Sequence, residues 1–442
     1  MANTFSGGIH FPTNKELTHA RPIEHVEEPQ YVVIPMRQHI GVACTPLVKT
    51  GDYVHMGQKI GDSDAFMSVP VHASISGNVI DVSPRWHPSG DKVMSVVIEN
   101  DFQDDPIPDK QKNVRNVDKM TPDDIVAFAR EMGLVGMGGA GFPTHVKLRT
   151  AIDRKVDTLL INGAECEPVI AADERAMIEY PKFIVGGIRM LMRALSLDEA
   201  FVGIETNKAD AISTMKIIAE PYGIHIVSLK TKYPQGAEKQ LIRAVTRREV
   251  KPGELPFDAG CAVFNIDTCA SLYRCASGGL PVIKRVVTVS GPAVKSSKNA
   301  LARIGTPMQY MFEAAGGFTA EPTKIIMGGP MMGIAQHTLE APIIKQTNGL
   351  IAYTTNNVEL VEDPVCIRCG RCVKGCPMHL MPNYINMYAK NEMYDEAEKY
   401  NVLDCIECGA CSYSCPAKIQ LVQMMRLTKF KITSKKKREG DR

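Results

Sequence analysis

Residues 366–377 read CIRCGRCVKGCP, and residues 405–416 read CIECGACSYSCP. Both runs follow the pattern Cys-x-x-Cys-x-x-Cys-x-x-x-Cys-Pro. A [4Fe–4S] cube needs four thiolates pointing inward from four corners. A short loop with cysteines at this spacing sets three of them around one cube. The fourth comes from further away, in two-cluster proteins from the other run. The spacing therefore predicts one cluster on Cys366, Cys369, Cys372 and Cys415, and a second on Cys405, Cys408, Cys411 and Cys376. Pro377 and Pro416 stop the chain from continuing as helix after the last ligand. Zinc runs use two ligand pairs with a long gap, and disulfides need an oxidising compartment. Two cubes in one small module lie close together, a geometry suited to serial one-electron transfer.

At 442 residues the chain has room for several domains. Its 44% hydrophobic and 23% charged content is ordinary for a globular protein. A net charge of +2 gives no global pull toward nucleic acid or anionic lipid. Of the 13 cysteines, Cys44, Cys166, Cys261, Cys269 and Cys275 fall outside the two runs; they are odd in number and scattered, which argues against a disulfide framework. The first residues lack a basic region followed by an apolar core, so no signal peptide is expected. No stretch approaches the roughly 18 uninterrupted apolar residues of a membrane span.

Residues 1–30 are expected as an extended arm that carries the phrase FSGGIHFP at 5–12. Residues 31–100 read as all-β, with short apolar strands broken by glycine turns. The run from Val48 to Val82 resembles the barrel-sandwich fold of biotinyl and lipoyl domains. Those domains attach their cofactor to a hairpin lysine, but no lysine lies between Lys59 and Lys92 here. A docking or structural module is expected instead. Residues 101–120 read as a charged linker. Thr121-Pro122-Asp123-Asp124 then opens a helix, with Thr121 as its cap and acids facing the dipole.

Residues 133–147, GLVGMGGAGFPTHVK, are dense in glycine. Such a loop lets backbone N–H groups approach a phosphate or a flat ring. Lys147, near the start of the next helix, is placed to pair with that phosphate. A strand at 158–161 runs into Asn162-Gly163-Ala164-Glu165-Cys166-Glu167-Pro168, the strand end at which α/β sheets place ligands. Together these two stretches resemble the flavin-binding subunit family of respiratory complex I, which binds FMN and NADH. The resemblance implies that Gly136, Gly138, Lys147 and Asn162 hold FMN and that Glu165 lies near the flavin and nicotinamide. It implies further that Gly139, Ala140, Phe142 and Glu167 contact NADH, with Gly236, Glu238 and Asn265 adding contacts. Met137, His145 and Ala164 depart from the family pattern. The missing Arg and Asp at 137 and 164 predict weaker flavin binding than in that family.

The alternation of helix and strand through 176–280 predicts a doubly wound α/β domain. Arg285–Val294 reads as a hairpin, and 282–340 resembles the soluble-ligand-binding β-grasp family. Two short helices are expected between the cysteine runs. The basic stretch at 435–438 reads as a disordered tail or, beside a membrane, as a lipid contact.

The chain thus reads as a multidomain α/β protein. It divides into an arm (1–30), a barrel-sandwich (31–100), a linker (101–120), an FMN/NADH-binding α/β domain (121–281), a β-grasp domain (282–350), a helical two-cluster ferredoxin-like domain (351–425) and a basic tail (426–442). That order of parts resembles the RnfC family, found in Rnf ion-translocating electron transport complexes. The resemblance implies an oxidoreductase component that carries FMN and two [4Fe–4S] clusters and exchanges electrons with NAD(H). It implies a peripheral place on the cytoplasmic face of the membrane, with other Rnf subunits as partners, ferredoxin as an indirect one, and no nucleic acid. Two alternatives remain at this point: an NADH-dependent cobalamin reductase, which shares the flavin, β-grasp and cluster modules, and a flavin-free iron–sulfur adaptor.

Overall fold

Short runs of valine and isoleucine bounded by glycine turns build the first unit as two facing sheets. Four antiparallel strands lie in the order Tyr31–Pro35, Lys92–Asn100, Gly77–Trp86, Tyr53–Val54. Three more, Thr45–Pro46, Lys59–Asp62 and Val71–His72, form the second sheet. Alternate residues from both meet in one buried core that includes Val32, Ile34, Ile60, Val71, Val96 and Ile98, as the two-residue period of a half-buried strand requires. The computed structural model describes residues 3–108, 113–357 and 361–440. The parts of the expected linker, cluster domain and tail at 109–112, 358–360 and 441–442 lie outside the described residues.

The α/β domain opens where the cap is expected. Thr121 Oγ1 accepts from the Asp124 N–H at 3.2 Å, and the Asp124 carboxylate accepts from the Thr121 N–H at 2.9 Å. This reciprocal pair satisfies two orphan donors at the start of helix Pro122–Glu131. Four parallel strands follow in the order Ile224–Leu229, Ala200–Glu205, Thr158–Gly163, Cys261–Asn265. Helices Pro181–Leu195 and Ile266–Gly278 pack at backbone contact: a Cβ on Gly187 would stand 1.8 Å from the Cys269 carbonyl oxygen.

The next unit is a mixed six-stranded sheet in the order Ile23–His25, Lys298–Arg303, Lys284–Ser290, Gly349–Tyr353, Lys324–Met327, Ile334–Gln336. Two expectations change here. The strand from Lys284 ends at Ser290, and its antiparallel partner is Lys298–Arg303, not the residues just after Gly291-Pro292. The intervening segment hooks back instead, with the Ala293 N–H donating to the Ala352 carbonyl. The arm is not free either: Ile23–His25 pairs in parallel with Lys298–Arg303 and forms the edge strand of this sheet.

In the C-terminal unit the two cysteine runs have the same backbone. Arg368 and Glu407, Gly370 and Gly409, and His379 and Lys418 occupy matching positions, and all six have positive φ. Helices Pro382–Lys390 and Tyr394–Glu398 lie between the runs. The expected basic tail is helical: Leu421–Gly440 is one helix, and Lys435 and Lys436 pair with Asp395 and Glu398 on the short helix Tyr394–Glu398.

Candidate functional site

The C-terminal ends of the parallel strands face a cavity of about 410 Å³. The glycine loop forms one wall, with Gly136, Gly138, Gly139, Ala140 and Phe142, and Lys147 follows on the next helix. Asn162 and Asn265 come from the ends of adjacent strands, and Gly236 and Glu238 from the loop before helix Glu238–Thr246. Among the described residues, the N–H groups of Gly138, Gly139 and Ala140 donate to no protein group. A Cβ at Gly139 would meet nothing within 4 Å, whereas one at Gly138 would press on the Asn265 side chain at 2.8 Å. An open glycine cradle with free donors and a nearby lysine suits a phosphate and a flat ring. These residues fit FMN on that ground.

Two predicted residues lie outside this cavity. Glu165 turns away from it: its carboxylate accepts from the Asp173 N–H at 2.6 Å and pairs with Lys15 of the arm at 3.2 Å. Glu167 accepts from the Met331 and Met332 N–H groups at 2.9 and 3.0 Å, in the turn after strand Lys324–Met327. Burial pushes the Glu167 carboxyl up to about 7. The departures at 137 and 164 also sit behind the wall. Met137 and Ala164 are buried in apolar clusters, so neither takes the place of a flavin contact on the cavity surface. His145 instead fastens the loop, its Nε2 lying 3.1 Å from the Phe66 carbonyl of the barrel-sandwich.

Some cavity residues escape the sequence reading. Ile40 reaches the mouth from the barrel-sandwich, and its N–H donates to the Gly141 carbonyl at 3.1 Å. Leu255, Pro256 and Phe257 close the opposite side. No motif marks either segment; only the fold brings them to the site.

Behind the cavity lies a buried polar layer. Asn265 donates to the Asp173 carboxylate at 2.8 Å. Desolvation, and then the neighbouring charges of Glu165 and Asp267, raise the Asp173 carboxyl to about 7. Lys15 faces Glu165, and Arg285 faces Asp267 at 3.4 Å. Two buried cations thus serve three buried acids, and Asp173 is the one left to stay protonated.

The cysteines gather into two groups. Cys376, Cys405, Cys408 and Cys411 ring one void, and Cys366, Cys369, Cys372 and Cys415 ring another. Each group takes three thiols from one run and one from the other. Among the described residues no three His, Cys, Asp or Glu side chains converge closely enough to bind one metal ion. A ring around a void is what a cube requires and a single zinc ion does not. Backbone N–H groups of Leu380 and Glu407 also point at the sulfurs of Cys376 and Cys405, both at 3.4 Å, as hydrogen bonds to cluster thiolates do. The residues therefore fit two cubane clusters.

The two voids differ in cover. Cys376, Cys408 and Cys411 are buried, whereas Cys366 and Cys369 are exposed beside Val365 and Ile367. The inner group abuts the flavin-type domain. The Tyr233 hydroxyl donates to the Cys408 carbonyl at 2.7 Å, and the Gln240 amide donates to the Pro377 carbonyl at 3.2 Å.

The modules match known families in the same order. Residues 3–103 match the RnfC barrel sandwich hybrid domain, 129–274 the Nuo51 FMN-binding domain, 286–335 the SLBB domain and 359–416 the 4Fe–4S dicluster domain. Over 97% of its length the chain is 47% identical to the RnfC-type component of the proton-translocating ferredoxin:NAD(+) oxidoreductase complex of Clostridium ljungdahlii, covering 94% of that protein. The chain belongs to the RnfC family. A second member, from the Na(+)-translocating ferredoxin:NAD(+) oxidoreductase complex of Acetobacterium woodii, is 46% identical over 98% of both chains. This RnfC-family chain also shares its fold with an NAD+-reducing [NiFe]-hydrogenase. That match has a TM-score of 0.52 at 18% identity, over 72% of this chain and 63% of the other.

Proposed function

We propose that this protein exchanges electrons with NAD(H) at the glycine-walled cavity and passes them between bound FMN and two [4Fe–4S] clusters, as part of a ferredoxin:NAD+ oxidoreductase complex. One observation carries the reading: a single loop and helix start separate the cavity from the inner cysteine group. Gly236 and Glu238 line the cavity, while Tyr233 and Gln240 touch the backbone beside Cys408 and Cys376. FMN, when bound, exchanges the two-electron hydride of NADH for single electrons. A hydride given up by NADH leaves as two electrons and one proton, so each of two one-electron clusters takes one electron.

Each residue has a part in this scheme. The free N–H groups of Gly138, Gly139 and Ala140 and the Lys147 ammonium hold the flavin phosphate. Asn162 donates to the Gly236 carbonyl at 2.7 Å and so fixes the loop between cavity and cluster. Ile40, Leu255 and Phe257 exclude water from the mouth. Electrons then move between the inner group (Cys376, Cys405, Cys408, Cys411) and the outer one (Cys366, Cys369, Cys372, Cys415). The exposed face at Val365, Ile367 and Cys366 is the exit toward another member of the complex. No described helix is long and apolar enough to cross a membrane, and the protein sits peripherally on the cytoplasmic face, held by the other Rnf components.

Gly139→Leu tests the cavity. The added side chain meets open space, so the fold and both clusters survive while the ring and phosphate lose their place. The expected protein has full cluster iron, no FMN and no NADH-driven bleaching of its absorbance. Retention of FMN by this variant contradicts the assignment.

A further inference from the structure

The FSGGIHFP phrase of the arm has no part in the cavity, yet it is wound tightly around Tyr233. The Ile9 N–H donates to the Tyr233 carbonyl at 2.8 Å, and the Tyr233 N–H donates back to the Ile9 carbonyl at 3.0 Å. Phe11 packs on the Tyr233 ring with centroids 5.2 Å apart. Lys232 binds the Phe5 carbonyl at 3.0 Å and lies over the Phe5 ring. Gly7 and Gly8 both have φ +74°. A Cβ on Gly8 would stand 2.6 Å from the Tyr233 carbonyl oxygen, and one on Gly7 would stand 2.6 Å from the Cys376 carbonyl oxygen. Two successive glycines are thus wedged between the flavin-type domain and a cysteine of the inner group. Both need the left-handed backbone and the missing side chain.

Tyr233 itself is 2% exposed, and its hydroxyl ends on the Cys408 carbonyl. Glu167 lies 3.5 Å from that hydroxyl and reaches Met331 and Met332, where the Met331 carbonyl is 2.9 Å from a Cβ built on Gly409. Four segments distant in sequence therefore close around one point, the backbone beside Cys408 and Cys376.

We propose that Tyr233 is a positioning residue that, clamped by the Gly7-Gly8 turn of the arm and braced by Glu167, fixes the contact between the flavin cavity and the inner cluster. The inference rests on the reading of the cavity and clusters given above. It also moves Glu167 from dinucleotide contact to this junction. The clamp acts on transfer between the two centres and leaves hydride exchange in the cavity untouched, because Tyr233 does not line the cavity.

The test uses the full chain with both clusters and FMN, mixed rapidly with NADH under anaerobic conditions. Flavin absorbance and the cluster EPR signals are followed separately. In Tyr233→Phe the flavin is expected to bleach at the parent rate, while reduction of the inner cluster slows several-fold and its EPR line shape changes. Gly7→Ala is expected to give the same selective slowing with full iron. Parent-like cluster kinetics and an unchanged EPR signal in an iron-replete Tyr233→Phe protein overturn the proposal. So does equal slowing of flavin bleaching and cluster reduction, which points to general loosening of the fold. A parent protein that fails to bleach at all counts against the cavity reading instead, so the two failures are distinguishable.

Discussion

Asp173, Glu165 and Asp267 crowd the layer behind the cavity with only Lys15 and Arg285 to face them. The Asp173 carboxyl is raised to about 7, whereas in an unfolded chain it titrates near the ordinary value of about 4. Between those limits the native state holds a proton that the unfolded state has lost. Stability therefore falls as pH rises through this window and levels off above about 7, by at most about 4 kcal/mol in all. Asp173→Asn keeps the shape and an acceptor for Asn265 but removes the titration. The urea midpoint of the parent is expected to drop between pH 6 and pH 7.5, and that of the variant to stay level. Equal slopes in the two proteins contradict the assignment of the buried proton. At this scale the sequence reads well wherever chemistry is local. The glycine loop and Asn162 reach the cavity because strand-end position and backbone freedom are short-range properties. Glu165 and Glu167 do not, because their partners Lys15 and Met331 come from segments that no spacing rule connects to them.

The cysteine runs are the elements whose geometry the spacing foretells best. Three ligands of each group sit on one loop, and the equivalent positive-φ positions in the two runs give both loops the same path. The crossing of the fourth ligand gives a sharp expectation. Cys376→Ala should damage the group at Cys405, Cys408 and Cys411 and spare the one beside it in sequence. Integrated EPR of the reduced variant is expected to retain the Cys366-run signal and lose the other; loss of the Cys366-run signal alone contradicts the pairing. Other elements were less legible. The return strand Lys298–Arg303 carries charges at both ends and little apolar alternation, so Gly291-Pro292 reads as a tight hairpin turn when it is the start of a longer hook. The basic C-terminal stretch reads as a tail because its charges look unpaired in sequence. In the fold, Asp395 and Glu398 lie opposite them, and Lys429 reaches the Cys405 carbonyl at 2.9 Å.

Across the whole molecule, the order of modules is plain in the sequence but the way they join is not. Each module carries its own periodicity and turn chemistry, which is enough to name it. The junctions are made by isolated side chains. Lys345 of the β-grasp unit donates to the carbonyls of Pro70 in the barrel-sandwich and Gly133 in the α/β domain, at 3.0 and 2.7 Å. Burial lowers its ammonium to about 8. Ile40 and His145 tie the barrel-sandwich to the glycine loop in the same way. The barrel-sandwich is therefore more than a docking module, since its edge holds one wall of the cavity. The arm, expected to be extended, is the strap that joins the β-grasp sheet, the α/β domain and the inner cysteine group. The resulting path runs from an NAD(H)-facing cavity, through one loop, to a covered cysteine group and then an exposed one.

That path is tested most directly by purifying the protein anaerobically, counting iron, sulfide and flavin, and then adding NADH while recording the absorbance. About eight iron, about eight sulfide and about one FMN, with bleaching of both flavin and cluster bands on NADH addition, are the expected result. About eight iron with no flavin and no bleaching, even after FMN is supplied, would contradict the account and leave an electron-carrying adaptor.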